Sequence, residues 1–406
     1  MSKYIASIIL VFFFVRLFSQ PTWTNYTPAN SGLLSTVRAL EIDHLNRIWV
    51  GYEWSADGLS VFDGITWDII DTSNGLPDNR VHVIFEDSNN DIWVGTQNGL
   101  CKFDGINWVT YTTDDGLIYN YVISVYEDSD NNLWFGTVNG LSRYDGVNWT
   151  NYSVNDGLAD NYVYSISQDN AGNMWFAYGL SASGVTKYDG ASWINYTTND
   201  GLISDQVNTI LSDHSGNLWF GCYGFNAGIS MYNGINWISY PSGSGPACNN
   251  VWTSYKDSRN SLWFGTSCHG GTSMYDFSTW TIFDTTNSGI ISNNILEIKE
   301  DSSGNMWIGG YDGLSKYTPQ NIGISIANSK QSVVIDQTQN FIIFRLNSTE
   351  KDMQIKIFDI SGCVICADAF NSSEYTFNSN GMAKGIYFYS ISSPEARYNG
   401  KLLHLQ

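Results

Sequence analysis

The residues that could carry out chemistry are few and match no known catalytic pattern. Four of the five histidines precede residue 320, and none belongs to a HExxH, G-x-S-x-G or phosphate-binding glycine sequence. The Asp-rich stretches do not match the EF-hand calcium loop either. The sequence therefore predicts no cofactor, no metal and no assigned catalytic residue. One acid/base set stays open, and it would be drawn from Arg38, His82, Tyr164 and His269.

Tryptophan, unlike these groups, is placed at regular intervals. A triplet with Trp at its centre recurs every 41 or 44 residues, at Trp49, Trp93, Trp134, Trp175, Trp219, Trp263 and Trp307. A second Trp follows most copies, at Trp67, Trp108, Trp149, Trp193, Trp237 and Trp280, and its remaining copy is Trp23 at the beginning of the array. A fixed period of this length indicates a repeat architecture. The offset of Trp23 predicts that an N-terminal strand completes the last repeat.

Each repeat divides into four short apolar runs separated by turn residues. In one repeat the runs are residues 81–86, 92–96, 100–103 and 107–111, with Asp104-Gly105 as a hairpin signal. No run shows the helical period. Four antiparallel strands in a repeat of this length are typical of a propeller blade. We therefore predict an all-β fold: a seven-bladed β-propeller over residues 20–318, closed by the N-terminal strand so that no sheet edge stays free.

Other recurring residues have structural explanations. An Asp opens the first turn of every repeat, where a short carboxylate accepts backbone N–H groups; these are Asp43, Asp87, Asp128, Asp169, Asp213, Asp257 and Asp301. The periodic aromatic rings are large enough to fill the space between blades, so we interpret them as packing groups rather than as a sugar-binding surface. An amide or acid that recurs before the first strand is interpreted as a turn cap, at Asn79, Asn120, Asn161, Asp205, Asn249 and Asn293.

The N-terminus and the charge balance indicate export. Residues 1–19 place Lys3 before an apolar run and Ser19 at its end, which predicts a secretory signal peptide. No other segment approaches the ~20 apolar residues of a membrane span, so we expect no transmembrane segment in the mature chain. The formal net charge is −20, from 39 acidic and 19 basic residues. Such a charge disfavours nucleic acids and anionic membranes as partners.

Two pairs of the six cysteines could have a role. Cys248 and Cys268 fall in two loops that a propeller brings to the same end of one blade, which predicts a disulfide in an exported protein. Cys363 and Cys366 are spaced like a redox pair but lie in a predicted strand and turn without a βαβ context. We therefore do not interpret that second pair as a redox site.

The repeat resembles the two-component regulator propeller repeat over about residues 21–318. The resemblance is carried by phrases such as Asp-Ser-Ser-Gly-Asn-Met-Trp-Ile-Gly at residues 301–309 and Asn-Leu-Trp-Phe-Gly-Thr at residues 132–137. In that family, paired sets of repeats form extracytoplasmic sensors of bacterial hybrid kinases, whose ligands are often oligosaccharides. This chain has one ring of seven and no kinase segment, so direct signalling is not expected.

The end of the chain predicts a small β-sandwich over residues 331–406, after a linker at residues 319–330. Its predicted strands are 333–335, 340–345, 354–358, 363–370, 385–391 and 401–405. Three phrases, at residues 359–362, 385–387 and 401–406, resemble the C-terminal sorting domain of type IX secretion in the Bacteroidetes. That resemblance implies the type IX secretion machinery as a partner and a secreted or outer cell-surface location. A plain β-sandwich accessory module is the alternative.

Candidate ligand-binding residues lie in the loops that a propeller gathers at one end of its channel, where the repeat does not dictate the residue. These loops and the beginnings of the first strands supply aromatic, amide, Arg and His groups: Arg38, Tyr52, Trp54, His82, Tyr121, Tyr164, Tyr178, Tyr223, Phe225, Trp252 and His269. Such groups suit a neutral oligosaccharide or a protein ligand. Two alternatives stay open: a polysaccharide lyase or glycoside hydrolase on the same scaffold, and a structural adhesin.

Overall fold

A computed structural model describes residues 21–54, 57–319, 333–337, 341–346, 353–358, 364–379, 385–393 and 397–404. The chain divides into two compact units that meet between residues 320 and 321. The predicted signal peptide, almost all of the predicted linker, and Cys363 lie outside the described residues. No helix in the described part of the chain is both long and apolar enough to cross a membrane.

The first unit is a ring of seven four-stranded antiparallel sheets, which confirms the predicted propeller. Blade one contains β2 (Ala39–Ile42), β3 (Ile48–Gly51), β4 (Leu59–Phe62) and β5 (Trp67–Ile70). Blade two contains β6 (Val81–Glu86), β7 (Ile92–Thr96), β8 (Gly99–Phe103) and β9 (Trp108–Tyr111). Blade three contains β10 (Val122–Glu127), β11 (Leu133–Thr137), β12 (Gly140–Tyr144) and β13 (Trp149–Tyr152). Blade four contains β14 (Ser165–Gln168), β15 (Met174–Ala177), β16 (Val185–Tyr188) and β17 (Trp193–Tyr196). Two short 3-10 turns, Gly179–Ser181 and Thr198–Asp200, interrupt its loops.

The last three blades follow the same order. Blade five contains β18 (Val207–Ser212), β19 (Leu218–Cys222), β20 (Gly228–Tyr232) and β21 (Trp237–Pro241), and blade six contains β22 (Val251–Lys256), β23 (Leu262–Thr266), β24 (Thr272–Tyr275) and β25 (Trp280–Phe283). Blade seven contains β26 (Ile295–Glu300), β27 (Met306–Gly310) and β28 (Gly313–Thr318), with β1 (Thr22–Tyr26) as its outermost strand.

The N-terminal strand closes the ring, as its sequence predicts. Strand β1 pairs antiparallel with β28, from Thr22 opposite Thr318 to Tyr26 opposite Leu314. The Trp23 ring packs against Tyr317 with a centroid distance of 4.8 Å, and the Tyr26 ring stacks on Trp307 at 5.4 Å. The first and last segments of the array therefore form one four-stranded blade, with β1 covering the edge of β28.

One polar clamp is repeated in all seven blades. The Asp of the first turn accepts a hydrogen bond from the indole N–H of the Trp six residues later, with Oδ2–Nε1 distances of 2.7–3.0 Å. Its other carboxylate oxygen accepts two backbone N–H groups; in blade three these belong to Asp130 and Asn132, both at 2.9 Å. The clamp satisfies the polar atom of a Trp that is otherwise buried in the core.

The first strand of most blades begins with a bulge. Register shifts occur between Val81 and Val83 and at the equivalent step in blades three, five, six and seven. A bulge re-aims the extra side chain. The bulged residues and their counterparts before β2 and β14 all line the central channel, and we call them the channel ring: Arg38, His82, Ile123, Tyr164, Asn208, Trp252 and Leu296.

The second unit consists of two sheets around one core. Strands β29 (Val333–Gln337), β30 (Phe341–Leu346) and β33 (Glu374–Asn378) form one sheet; β32 (Val364–Phe370), β31 (Met353–Phe358), β34 (Gly385–Ser392) and β35 (Arg397–His404) form the other. Ile342 and Phe344 of the first sheet share a buried cluster with Ile355, Ile357 and Tyr389 of the second. The predicted sandwich is present. The sequence-based strand assignment was wrong in omitting β33 and in starting the last strand at residue 401.

Candidate functional site

A cavity of about 470 Å³ lies at one mouth of the channel, and we call it the mouth cavity. It is formed at the end where the loops after the second strands meet the beginnings of the first strands. Its lining comes from blades one, four, five and six: Arg38, Glu53, Trp54, Tyr162, Tyr164, Gly179, Ser181, Asn208 and Trp252. The structure thus brings together four of the predicted candidates, namely Arg38, Trp54, Tyr164 and Trp252.

Arg38 organises the polar side of the mouth cavity. Arg38 is 7% exposed; its Nε donates to Glu53 Oε2 at 2.8 Å, and a terminal nitrogen donates to the Tyr164 hydroxyl at 3.1 Å. Burial lowers the pKa of Arg38, but the nearby Tyr164, Glu53 and Glu297 outweigh it and raise that pKa. Because the pair with Glu53 is neutral overall, the cavity offers hydrogen bonds without a large net charge.

His82 lies next to this pair with one unsatisfied nitrogen. The side chain is buried, its Nδ1 lies 3.5 Å from Glu53 Oε1, and its Nε2 has no hydrogen-bond partner. The His82 ring contacts the predicted candidate Tyr121, with ring centroids 4.5 Å apart. Burial lowers the pKa of His82, and the contact with Glu53 opposes this only in part. The neutral imidazole is therefore the favoured form near pH 7.

Aromatic rings form the other side of the mouth cavity. Tyr162 and Tyr164 stack almost parallel with centroids 6.2 Å apart, and Trp252 meets Tyr164 edge-on at 5.7 Å. Trp54 is 55% exposed and contacts Tyr311 edge-on at 5.5 Å. The indole N–H of Trp252 is buried without an acceptor. The cavity therefore presents open ring faces together with an unused hydrogen-bond donor.

The channel below the mouth contains further charged groups. Its cavity has a volume of about 480 Å³ and includes Glu297 and Lys299 in its lining. Lys299 Nζ pairs with Glu41 Oε2 at 2.7 Å. Burial raises the pKa of Glu297, and Lys299 and Arg38 reduce that rise only in part. Neither Glu297 nor Lys299 stood among the predicted site residues.

Two predicted site residues, Tyr52 and Tyr178, do not face a ligand cavity. Both are fully buried in the core. The Tyr52 hydroxyl donates to Ser60 and accepts the Leu34 N–H at 3.1 Å, while the Tyr178 hydroxyl bonds Thr186 and accepts the Ala159 N–H at 3.1 Å. Their position, three residues after the strand-two Trp, is internal in every blade, so these two assignments were wrong.

Three further candidates lie away from the mouth cavity. Tyr223 and Phe225 line a separate cavity over blades five and six, which shares no lining residue with the mouth. His269 is exposed in the blade-six loop, where its backbone N–H donates to Asn294 Oδ1 at 3.2 Å. The neighbouring Cys248 and Cys268 are joined as a disulfide with a Cα separation of 6.3 Å, as predicted.

Sequence reasoning missed Glu53, Tyr162 and Asn208 as lining residues of the mouth. Asn208 had an available signal, because it occupies the same repeat position as Arg38, His82, Tyr164 and Trp252. Glu53 lies between two residues that were chosen, but its role depends on a contact with Arg38 that only the fold reveals.

Two family models match the chain. The two component regulator propeller matches residues 75–98, 116–139, 157–179, 201–224 and 289–312, and the secretion system C-terminal sorting domain matches residues 329–404. No curated protein matches the chain significantly.

Several solved structures share the fold at low sequence identity. The extracellular domain of the hybrid two component system BT3049 from B. thetaiotaomicron is 18% identical with a TM-score of 0.65, over 95% of this chain and 56% of that one. PorZ, a surface component of the type-IX secretion system of Porphyromonas gingivalis, is 18% identical with a TM-score of 0.57, over 93% and 60%. Streptogramin B lyase is 14% identical with a TM-score of 0.60, over 74% and 98%.

The chain spans little more than half the length of the first two of these structures, so the likeness concerns the fold. The sorting domain gives the location and implies contact with the secretion machinery. The chain therefore carries two component regulator propeller repeats followed by a type IX secretion C-terminal sorting domain, and it is secreted or displayed on the cell surface.

Proposed function

We propose that the propeller binds a neutral oligosaccharide at the mouth cavity, outside the cell or on its surface. The observation that carries this proposal is the pairing of exposed aromatic rings with one unused hydrogen-bond donor in a single cavity. Trp54 offers a half-exposed ring, and Trp252 Nε1 is a buried donor without an acceptor. Sugar rings present C–H faces to aromatic planes and hydroxyl groups to polar atoms, so they satisfy both features.

The charge balance supports a neutral ligand over an anionic one. Arg38 already pairs with Glu53, and the whole chain carries a net charge of −20. An acidic glycan would have to compete with Glu53 for the guanidinium against that overall potential. A cavity of about 470 Å³ has the size of ordinary small-ligand sites.

The test is binding of the purified full chain to an array of neutral and acidic glycans. We expect neutral oligosaccharides among the hits. Replacing Trp54 by Ala removes a ring from the cavity at little folding cost, and we expect about tenfold weaker binding. The matched control is Tyr119→Ala, which removes a ring that is 42% exposed and lies outside the mouth cavity. Equal affinity in wild type and Trp54→Ala would refute this site and leave a protein ligand as the default.

A second function, lyase or hydrolase activity, has one specific observation in its favour. His82 is held by Glu53 through Nδ1 while Nε2 is free, and Tyr164 is held by Arg38. A neutral His of this kind could accept a proton from a substrate that extends into the channel cavity, which His82 lines. Release of new reducing or unsaturated ends from a bound glycan, lost in His82→Asn, would support this function. Intact ligand after prolonged incubation would leave binding alone.

A further inference from the structure

The second cavity, over blades five and six, has features of a separate binding site. We call it the rim cavity; its volume is about 520 Å³, and it is lined by Tyr223, Gly224, Phe225, Ser242, Cys248, Asn249, Asn250 and Cys268. Three chain segments form it: the loop after β19, the loop after β21 and the loop after β23. Because it shares no residue with the mouth cavity, its ligand would be bound independently of the proposed function.

The position of Asn249 in the repeat makes this cavity unusual. In five other blade connections the equivalent side chain caps the preceding loop by accepting a backbone N–H. The bonds are Thr72 to Asn79, Thr113 to Asn120, Val154 to Asn161, Thr198 to Asp205 and Thr285 to Asn293, at 2.6–2.9 Å. The equivalent donor for Asn249 is Ser242, but Asn249 Oδ1 is buried with no hydrogen-bond partner. This connection therefore lacks the cap that those five connections share.

The connection that lacks the cap also differs in composition. Residues 241–248 read Pro-Ser-Gly-Ser-Gly-Pro-Ala-Cys, and the disulfide from Cys248 to Cys268 fixes the loop to the next blade. Asn250 Oδ1 accepts the Gly224 N–H at 3.3 Å, which connects this loop to the one that carries Tyr223 and Phe225. The walls of the rim cavity are thus fastened to one another, while Asn249 Oδ1 is left without a donor.

Two aromatic rings line the same cavity as Asn249. Phe225 is 94% exposed, the most exposed large hydrophobic side chain in the part of the chain described, and Tyr223 is half-buried. Exposure of a phenyl ring to water is unfavourable, and a ligand that stacks on the ring would remove that apolar surface from water. A buried carbonyl oxygen without a partner costs ~1–3 kcal/mol, and a ligand hydroxyl would recover this as well.

We propose that the rim cavity is a second binding site for a neutral, hydroxyl-bearing ring such as a sugar residue. The ring stacks on Phe225 and Tyr223, and one hydroxyl donates to Asn249 Oδ1. No charged side chain lines the cavity, which disfavours a phosphate or a carboxylate ligand. The disulfide preorganises the walls, so little loop ordering opposes binding.

The experiment is calorimetric titration of the full chain with maltotriose, cellotriose, xylotriose and mannotriose. The key variant is Asn249→Ala, with Asn120→Ala as the matched control because it removes the same amide from an intact cap. We expect Asn249→Ala to keep or raise the wild-type melting temperature, since it breaks no internal hydrogen bond and removes an unpaired buried oxygen, and to weaken rim binding about tenfold or more. Asn120→Ala should lower the melting temperature and leave the rim affinity unchanged.

The remaining variants separate the two sites. Phe225→Ala should weaken rim binding about fivefold or more, while Trp54→Ala should weaken only binding at the mouth, by about tenfold. Asn249→Asp keeps an acceptor at the position where Asp205 stands in another blade, and it should restore binding to within about threefold of wild type. The proposal is overturned if Asn249→Ala and Phe225→Ala bind every trisaccharide as wild type does, or if Trp54→Ala binds none of them.

Discussion

Deleting residues 21–26 removes the strand that closes the propeller, and we expect this change to unfold much of the ring. Strand β1 supplies two aromatic anchors to blade seven: Trp23, which packs on Tyr317, and Tyr26, which stacks on Trp307. It also supplies Asn25, whose amide donates to Gly289 O at 3.0 Å and whose oxygen accepts from Ser315 at 2.8 Å. Without β1 these partners and the backbone edge of β28 become exposed to water.

The size of the effect follows from these contacts. Replacing a buried Trp or Phe by Ala costs ~3–5 kcal/mol, so each half-buried anchor of β1 contributes about 2 kcal/mol. Each of the two Asn25 hydrogen bonds contributes about 1 kcal/mol. The strand therefore stabilises the propeller by about 6 kcal/mol, which approaches the whole unfolding free energy of a typical domain, ~5–15 kcal/mol.

The assay is equilibrium unfolding in urea, followed by tryptophan fluorescence, of the full chain and of the deletion variant. A synthetic peptide of residues 20–30 should restore the lost stability in a concentration-dependent way, because it can refill the vacant strand position. Trp149→Ala, the equivalent change inside the array, is the point-substitution control for Trp23→Ala, and the two should cost similar amounts. A deletion variant within about 1 kcal/mol of wild type would refute closure by β1.

Three further predictions concern the clamp, the disulfide and the buried histidine. Asp128→Ala leaves the Trp134 indole N–H unpaired in the core and should lower the unfolding free energy by about 3 kcal/mol, as measured in urea. Reducing the disulfide of Cys268 should cost about 3 kcal/mol, given its sequence separation of 20, and calorimetry with and without reductant measures this. In the folded protein the pKa of His82 lies below its ordinary value, so His82 binds a proton more readily in the unfolded chain than in the folded one. The unfolding free energy should therefore fall as pH drops from about 6.5. As pH falls, the urea midpoint of unfolding should decline less for His82→Asn than for His269→Asn. Equal declines would contradict the lowering of the His82 pKa by burial.

The ring and its closure could be predicted from the sequence because they rest on periodic residues. The offset of Trp23 placed β1 in the last blade, and the recurring Asp predicted the backbone N–H bonds of every first turn, although not its bond to the Trp indole. Both predictions rest on repetition, because each copy of the repeat supports the interpretation of the other copies.

The candidate site could be predicted only in part, because burial at a loop depends on local geometry. Tyr52 and Tyr178 were chosen as aperiodic aromatic residues, yet they share a repeat position with the buried Thr96 and Thr137. Aligning the repeats position by position would have excluded both. The same alignment exposes the channel ring, where Arg, His, Ile, Tyr, Asn, Trp and Leu occupy one place in seven blades.

Other features of the site depend on contacts between distant segments. Glu53 becomes part of the mouth because Arg38 and His82 both turn toward it. From its repeat position, Asn249 was interpreted as an ordinary turn cap. Only the hydrogen bonds distinguish the two residues: Asn120 Oδ1 accepts a backbone N–H, whereas Asn249 Oδ1 has no partner. A sequence gives the position of such a residue, whereas its partner is decided by packing.

The measurement that tests the central claim most directly is a crystal structure of the full chain with its strongest-binding oligosaccharide. We expect a sugar ring against Trp54 and a ligand oxygen about 3 Å from Trp252 Nε1, which has no acceptor within the protein. An empty mouth cavity in a crystal that holds the sugar elsewhere would contradict the proposed function.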